Sequence, residues 1–186
     1  MKTIIISIGA YSAEEVENLK TPNTIFYCYD PRQEVTLEFE KKFKDDNSVK
    51  FFQKAVSVTN AKRYFKLEGT KSRLFQNKGL RKDNTIIEVD CITLQDIIII
   101  YTLEDNYDIN KIELIMNCEG EEISIILSTP IQLLEIMKKI KIEFHPQYYP
   151  IEQIDIVLNK LKPYFKWTNY LASKSKSPIY IFERIK

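Results

Sequence analysis

IIISIGAYSAEE, residues 4–15, begins as a β-branched run, turns at Gly9-Ala10 and hands over to a segment that starts a helix. Ile4, Ile5, Ile6 and Ile8 lack polar alternation, the pattern of a strand buried on both faces, as in a parallel sheet covered by helices. Ser12 with Glu15 three residues later fits a capping box, and Val16 and Leu19 carry the helix to a break at Thr21-Pro22. TIFYCYD, residues 24–30, reads as a second strand stopped by Asp30 and Pro31. Val35, Phe39 and Phe43 then recur every fourth residue along one face of a second helix. VKFFQKAVSV, residues 49–58, reads as one third strand. Strand, helix, strand, helix, strand at this spacing predicts a parallel sheet with right-handed crossovers.

Beyond this opening, KRYFKLEG (62–69) and NTIIEVDCI (84–92) read as strands flanking a basic stretch, TKSRLFQNKGLRKDN (70–84). Thr93 with Asp96 opens a helix carrying Leu94, Ile97, Ile98 and Tyr101. KIELIMNCEG (111–120) resumes the core pattern, and Thr129-Pro130-x-Gln132 gives a second capping signature for a helix through Leu133, Leu134 and Met137. KIKIEFHP (139–146) is the next strand, followed by a helix whose face is Ile154, Val157, Leu158 and Leu161. YFKWTNYL (164–171) and PIYIFERI (178–185) close the chain as two strands.

The 186 residues, 44% of them hydrophobic, suffice for one domain with a substantial core, taken as residues 1–186. Twenty-seven basic against twenty-six acidic side chains leave a net charge of +1, which argues against nucleic acid as partner. The basic stretch reads as a solvated loop able to contact phosphates. Cys28, Cys91 and Cys118 are odd in number and set in apolar runs, which suits buried thiols in a reducing, cytoplasmic setting better than a disulfide framework. No CxxC pair points to zinc, and no metal is expected. The N-terminal apolar run is interrupted by Ser7 and Gly9 and reads as a strand rather than a secretory signal, and Ile97–Ile100 is far too short to cross a membrane.

Three strand ends collect polar groups. Gly9 follows the first strand, Asp30 the second, and Asn117, Cys118, Glu119, Gly120, Glu121 and Glu122 a later one. In a parallel sheet such ends lie along one edge, where open α/β sheets bind ligands. Gly9 permits close backbone approach, and Asp30, at the tip of the strand beside the central one, is placed to accept hydrogen bonds from ribose hydroxyls. A mid-strand Glu143 needs a partner, for which Lys141 or Lys111 is available. Glu119, Glu143 and His145 have the chemistry of metal ligands, although nothing in their spacing demands a metal. Tyr164, Trp167 and Tyr170 read as core packing of the last strands rather than a stacking surface.

IGA (8–10), YCYDPRQE (27–34), VKFFQKAVSV, VDCITLQDII (89–98), IELIMNCEGEEISIIL (112–127) and IKIEFHP (140–146) together resemble, in order, the FkbM-type family of S-adenosylmethionine-dependent methyltransferases. That family shows a glycine-alanine turn, Glu-Pro after strand two, Asn-x-Ala-Val, Thr-Leu-Asp-Asp, Glu-Gly-x-Glu and a strand ending Glu-x-His. The resemblance covers residues 4–146. It implies an α/β, Rossmann-like class I methyltransferase fold: a mostly parallel seven-stranded sheet, helices on both faces and an antiparallel edge strand. Gly9 and Ala10 would then line the methionine end of the cofactor, Asp30 would hold the ribose, and Ala55 and Val56 would lie near the adenine. Asn117 would meet both cofactor and acceptor, Glu119 would orient the acceptor, and His145, the only histidine, would serve as base.

The implied activity is O-methylation of a small polar acceptor such as a sugar hydroxyl. Ser7, Tyr11, Ala13 and Asn117 depart from the family's aspartate, asparagine, glycine and aspartate. The departures keep open a second reading, a catalytically inactive binding or interaction module on the same fold. With the first strand four residues from Met1, closure of the site is expected from the basic stretch, a second copy or a partner chain.

Overall fold

The computed structural model describes residues 2–10, 12–75, 85–101, 111–171 and 177–185. Tyr11, most of the expected basic loop (76–84) and the junction 172–176 lie outside them. Strand β1 (Thr3–Ile8) leads to helix α1 (Ala13–Leu19), and Ser12 Oγ accepts from the Glu15 backbone N–H at 3.3 Å, the N-cap contact expected from the sequence. Strand β2 (Thr24–Tyr29), helix α2 (Gln33–Phe43) and strand β3 (Val49–Phe52) complete the opening βαβαβ unit.

β3 is where the sequence expectation of a single strand over 49–58 fails. The chain turns after Phe52, with Lys54 N donating to the Phe52 carbonyl at 2.8 Å, and Ala55–Ser57 form a separate strand, β4. β4 leaves the main sheet and pairs in parallel with β8 (Cys91–Thr93). Between them, β5 (Arg63–Lys66), a single 3-10 turn over Gly69–Lys71, β6 (Arg73–Phe75) and β7 (Ile86–Val89) build an antiparallel sheet of three strands in the order β6-β5-β7. The N-terminal part of the basic stretch is therefore a strand rather than loop: Leu74 and Phe65 bury against Ala55, Val89 and Cys91 in a small core of their own.

Helix α3 (Leu94–Ile99) begins as expected, Thr93 Oγ1 accepting from Asp96 N at 3.1 Å. Strand β9 (Ile112–Met116), helix α4 (Glu122–Ser128), the one-turn helix α5 (Ile131–Leu134), strand β10 (Lys139–Glu143), helix α6 (Glu152–Leu161) and strands β11 (Phe165–Leu171) and β12 (Pro178–Arg184) follow. The expected capping role of Thr129 is not what forms. Its hydroxyl donates back to the Ile125 carbonyl at 2.7 Å and closes α4, leaving α5 without a side-chain cap.

The main sheet has seven strands in the order β11-β12-β10-β9-β1-β2-β3. β1 pairs in parallel with β2 on one side and β9 on the other, β10 follows β9 in parallel, and β12 runs against both β10 and β11. Alternation along β1 divides the core. Ile4, Ile6 and Ile8 face the side covered by α3, α4 and α6, while Ile5 packs with Val16 of α1 and with Val35 and Phe39 of α2. Helices thus cover both faces, which is why β1, β9 and β10 are rich in isoleucine and β2 is apolar or aromatic at most positions.

α4 is held at its C-terminal end by an ammonium group. Lys160 Nζ of α6 donates to the carbonyls of Ile126 (2.9 Å), Leu127 (3.0 Å) and Thr129 (2.6 Å), and burial pulls its pKa below the usual lysine value. A cation there satisfies orphan carbonyls and meets the negative end of the helix dipole. Lys160→Met keeps the aliphatic stem and removes these bonds. We expect it to cost about 1–3 kcal/mol, read as a lower urea midpoint at unchanged slope.

Candidate functional site

β1 lies where the sheet order reverses, with β2 and β3 to one side and β9 and β10 to the other. Such a switch point opens a crevice at the carboxyl ends of the strands. Here it is a cavity of about 810 Å³ whose wall includes Gly9, Asp30, Ala55, Val56, Asn117, Glu119, Glu143 and His145. This volume suits a nucleoside-sized ligand and part of a second molecule. All the expected site residues except Ala10 meet there. Ala10 instead packs beneath α1, in the core cluster with Ala13 and Val16.

Gly9 makes the crevice possible. Its φ is +71°, and a Cβ built on it would stand 1.8 Å from the Asn117 carbonyl oxygen. The main chain leaving β1 passes directly over the main chain leaving β9, with Asn117 N bonded to the Ile8 carbonyl at 2.9 Å and Gly9 N to the Tyr29 carbonyl at 2.9 Å.

Asp30, at the tip of β2, is buried and already engaged. Oδ1 accepts from Arg32 N (3.0 Å) and Nε (2.8 Å), and Oδ2 accepts from Arg32 Nη2 (2.6 Å). A carboxylate offers about four acceptor positions, so one remains for a ligand hydroxyl. Arg32, two residues on in Asp-Pro-Arg, was not singled out from the sequence, although an arginine so close to a buried acid was the visible sign.

The third group is built around Glu122, which is fully buried at the start of α4. Its carboxylate accepts from Gly120 N at 3.0 and 3.2 Å and from Cys118 N at 3.2 Å, faces His145 Nδ1 at 2.6 Å, and receives the Tyr149 hydroxyl at 3.3 Å. His145 is 2% exposed, and its other ring nitrogen faces Glu119 Oε1 at 3.3 Å. Burial alone would lower the imidazole pKa, but the hydrogen bond to Glu122 and the charges of Glu122, Glu119 and Glu143 outweigh it and raise the value. Burial raises the Glu119 pKa, His145 works against that rise, and Glu122 and Glu143 add to it. Glu119 also adopts a positive φ of 51°, which the turn at Gly120 (φ +112°) accompanies. Asn117 Nδ2 donates to Glu143 Oε2 at 3.2 Å, so the amide that stands in place of the family's aspartate supplies a donor to the acid, which lies at the end of β10 rather than in mid-strand.

Two further walls complete the cavity. Phe65, Lys71, Ser72 and Leu74 come from the three-stranded sheet and the turn beside it, and Tyr170, Ser177 and Ile179 from the β11–β12 pair. Lys71, Ser72 and Leu74 of the basic stretch thus line the cavity. Tyr164 and Trp167 pack against the core, whereas Tyr170 is 49% exposed and stands in the cavity wall. Among the described residues no three His, Cys, Asp or Glu side chains are placed to hold a metal ion, and no helix is long and apolar enough to cross a membrane.

Neither a protein-family model nor any curated protein matches the sequence. Solved structures do. Methyltransferase FkbM from Methylobacillus flagellatus aligns with a TM-score of 0.60 at 11% identity, covering 98% of this chain and 43% of that one. A fibrillarin/Nop5p complex aligns with a TM-score of 0.53 at 12% identity over 99% of this chain and 73% of that one. The fold is that of the class I methyltransferases. Spermidine synthase from Thermotoga maritima shares it, with a TM-score of 0.50, 9% identity and coverage of 98% and 53%. The chain spans less than half the length of the Methylobacillus protein. At such identities the class I methyltransferase fold is what is shared, FkbM specifically is not singled out, and the spermidine synthase shows that this backbone does not by itself name an activity.

Proposed function

We propose that the protein binds S-adenosylmethionine in the cavity and transfers its methyl group to a hydroxyl of a small polar acceptor, such as a sugar. The observation that carries this reading is the meeting of Gly9, Asp30, Val56, Asn117, Glu119 and His145 around one cavity at the switch point. The residues fit the cofactor. Val56, Phe65 and Leu74 offer apolar surface to a base, Asp30 keeps one acceptor position for a ribose hydroxyl, and Gly9 leaves the strand ends bare of side-chain bulk. Glu119 and Glu143, beside Asn117, place negative charge where a sulfonium and an ammonium group would be stabilised.

When bound, the cofactor supplies an electrophilic methyl group on a positively charged sulfur. Transfer of that group to a hydroxyl would require the acceptor's hydroxyl proton to leave. His145 faces carboxylates with both ring nitrogens, which raise its pKa above the ordinary imidazole value, and in this proposal it holds Glu119 in place. Glu119, whose pKa is raised by burial and which faces His145, receives the proton. Gln147, Ser177 and Tyr170 supply polar and aromatic contacts for the acceptor.

Calorimetric titration with S-adenosylhomocysteine tests the reading: binding at roughly tens of micromolar or tighter is expected. Asp30→Asn removes the charge that meets the ribose and should weaken it by about one to two decades. Affinity unchanged in Asp30→Asn would move the ribose elsewhere. No binding by the wild type would favour the second reading, a catalytically inactive binding module, for which the grip of Arg32 on Asp30 already speaks.

A further inference from the structure

The three-stranded sheet over the cavity is tied to the core by two arginines that reach the turns carrying the acidic cluster. Arg63, at the start of β5, donates through Nη1 to Ser57 Oγ at 2.6 Å and to Glu121 Oε2 at 2.8 Å. Ser57 ends β4 and is 1% exposed, and Glu121 belongs to the turn between β9 and α4 that also holds Glu119 and Glu122. Both partners of the ion pair are largely shielded, so it differs from an exposed surface pair. The Arg73 guanidinium of β6 stacks over the Tyr148 ring at 4.7 Å, and Tyr148 lies against Gly120.

We propose that Arg63 is a positioning residue: by joining Ser57, Glu121 and β5 at one guanidinium, it couples the seating of the three-stranded sheet over the cavity to the shape of the Glu119–Glu122 turn. The inference builds on the cofactor-binding reading above, and its physical content is separate from it. Arg63 itself is not part of the cavity wall. What it holds are the elements that bring Phe65, Ser72 and Leu74 over one part of the ligand space and Glu119 toward another. One side chain therefore bonds to both walls at once. Methyl transfer depends on such positioning and on exclusion of water.

The test is hydrogen–deuterium exchange combined with calorimetry on the full chain, for the wild type, Arg63→Met, Arg63→Lys and Glu121→Gln. Without ligand, Arg63→Met should speed exchange at least ten-fold in the amides of β5 and β6 and in the 118–122 turn together, while β1 and β2 keep wild-type protection. Faster exchange in β5 alone, with the 118–122 turn unchanged, would overturn the coupling. So would no change in either. This arm does not need the cofactor, so it decides the inference even if S-adenosylhomocysteine does not bind. If it does bind, Arg63→Met should lose ten-fold or more in affinity, and Arg63→Lys, which keeps the charge, should recover part of both effects. Glu121→Gln should reproduce the exchange change, and a double variant should add nothing to it. Full additivity would show that the two side chains act separately.

Discussion

Gly9→Ala is expected to lower the unfolding free energy by about 3–5 kcal/mol and to abolish ligand binding in whatever protein remains folded. Two costs combine. A non-glycine residue at φ +71° is strained, and its Cβ would lie 1.8 Å from the Asn117 carbonyl oxygen. That oxygen is main chain in the middle of the sheet, so it cannot swing aside as the end of a long side chain would. Gly69 provides the control: its φ is +58°, but a Cβ placed there would meet nothing within 4 Å. Gly69→Ala therefore isolates the backbone contribution, about 1–2 kcal/mol. Urea unfolding of both variants separates the two costs. Equal losses at the two positions would mean that the crossing of the strand ends is looser than the structure shows.

Removing the Glu122 carboxylate is the second large perturbation. Glu122→Ala leaves the Cys118 and Gly120 N–H groups and His145 Nδ1 without their partner, and should cost about 3–5 kcal/mol. Glu122→Gln keeps the shape and an acceptor oxygen but loses the charge. It should destabilise less and pull the His145 pKa down. The sign for pH follows from linkage. Because the folded His145 value is raised above 6.5, its contribution is fully present below that pH and is lost as pH rises through the folded value. Glu119, also raised, acts in the same direction at lower pH, from its ordinary carboxylate value upward. Stability of the wild type should accordingly decline above about pH 6.5, with a shallower decline in Glu122→Gln. As His145 is the only histidine, its ring proton resonance reads the titration directly. A midpoint at or below 6.5 in the wild type would mean that the surrounding carboxylates do not raise the imidazole pKa.

The parallel core was legible in the sequence because burial on both faces leaves runs without polar alternation such as Ile4–Ile8 and Thr24–Tyr29, and because caps such as Ser12 and Thr93 mark the helix starts locally. Strand ends were legible for the same reason, and Gly9, Asp30 and Asn117 could be placed on one rim before any coordinates. The rest depends on contacts distant in the chain. Nothing local distinguishes Phe52-Gln-Lys-Ala55 inside a strand from the turn that sends β4 to pair with β8, 36 residues further on. Thr129 has the residues of an N-cap, and only the position of Ile125 decides that it closes the preceding helix instead. The carboxylate hub at Glu122 was visible as spacing, Glu-Gly-x-Glu, but its role emerges only once Tyr149 and His145 arrive from the next strand and loop. Arg63 carried no sequence signal at all, since its partners lie 6 and 58 residues away.

Because β12 runs against the strands beside it, the chain comes back to the carboxyl rim a final time after the parallel strands are complete, bringing Tyr170, Ser177 and Ile179 with it. The recess thus has contributions from two separate stretches of chain, one from the parallel strands and their crossovers, the other from this late return. On the proposed reading, substitution in that return is expected to change which guest molecule is admitted while leaving the other walls as they are.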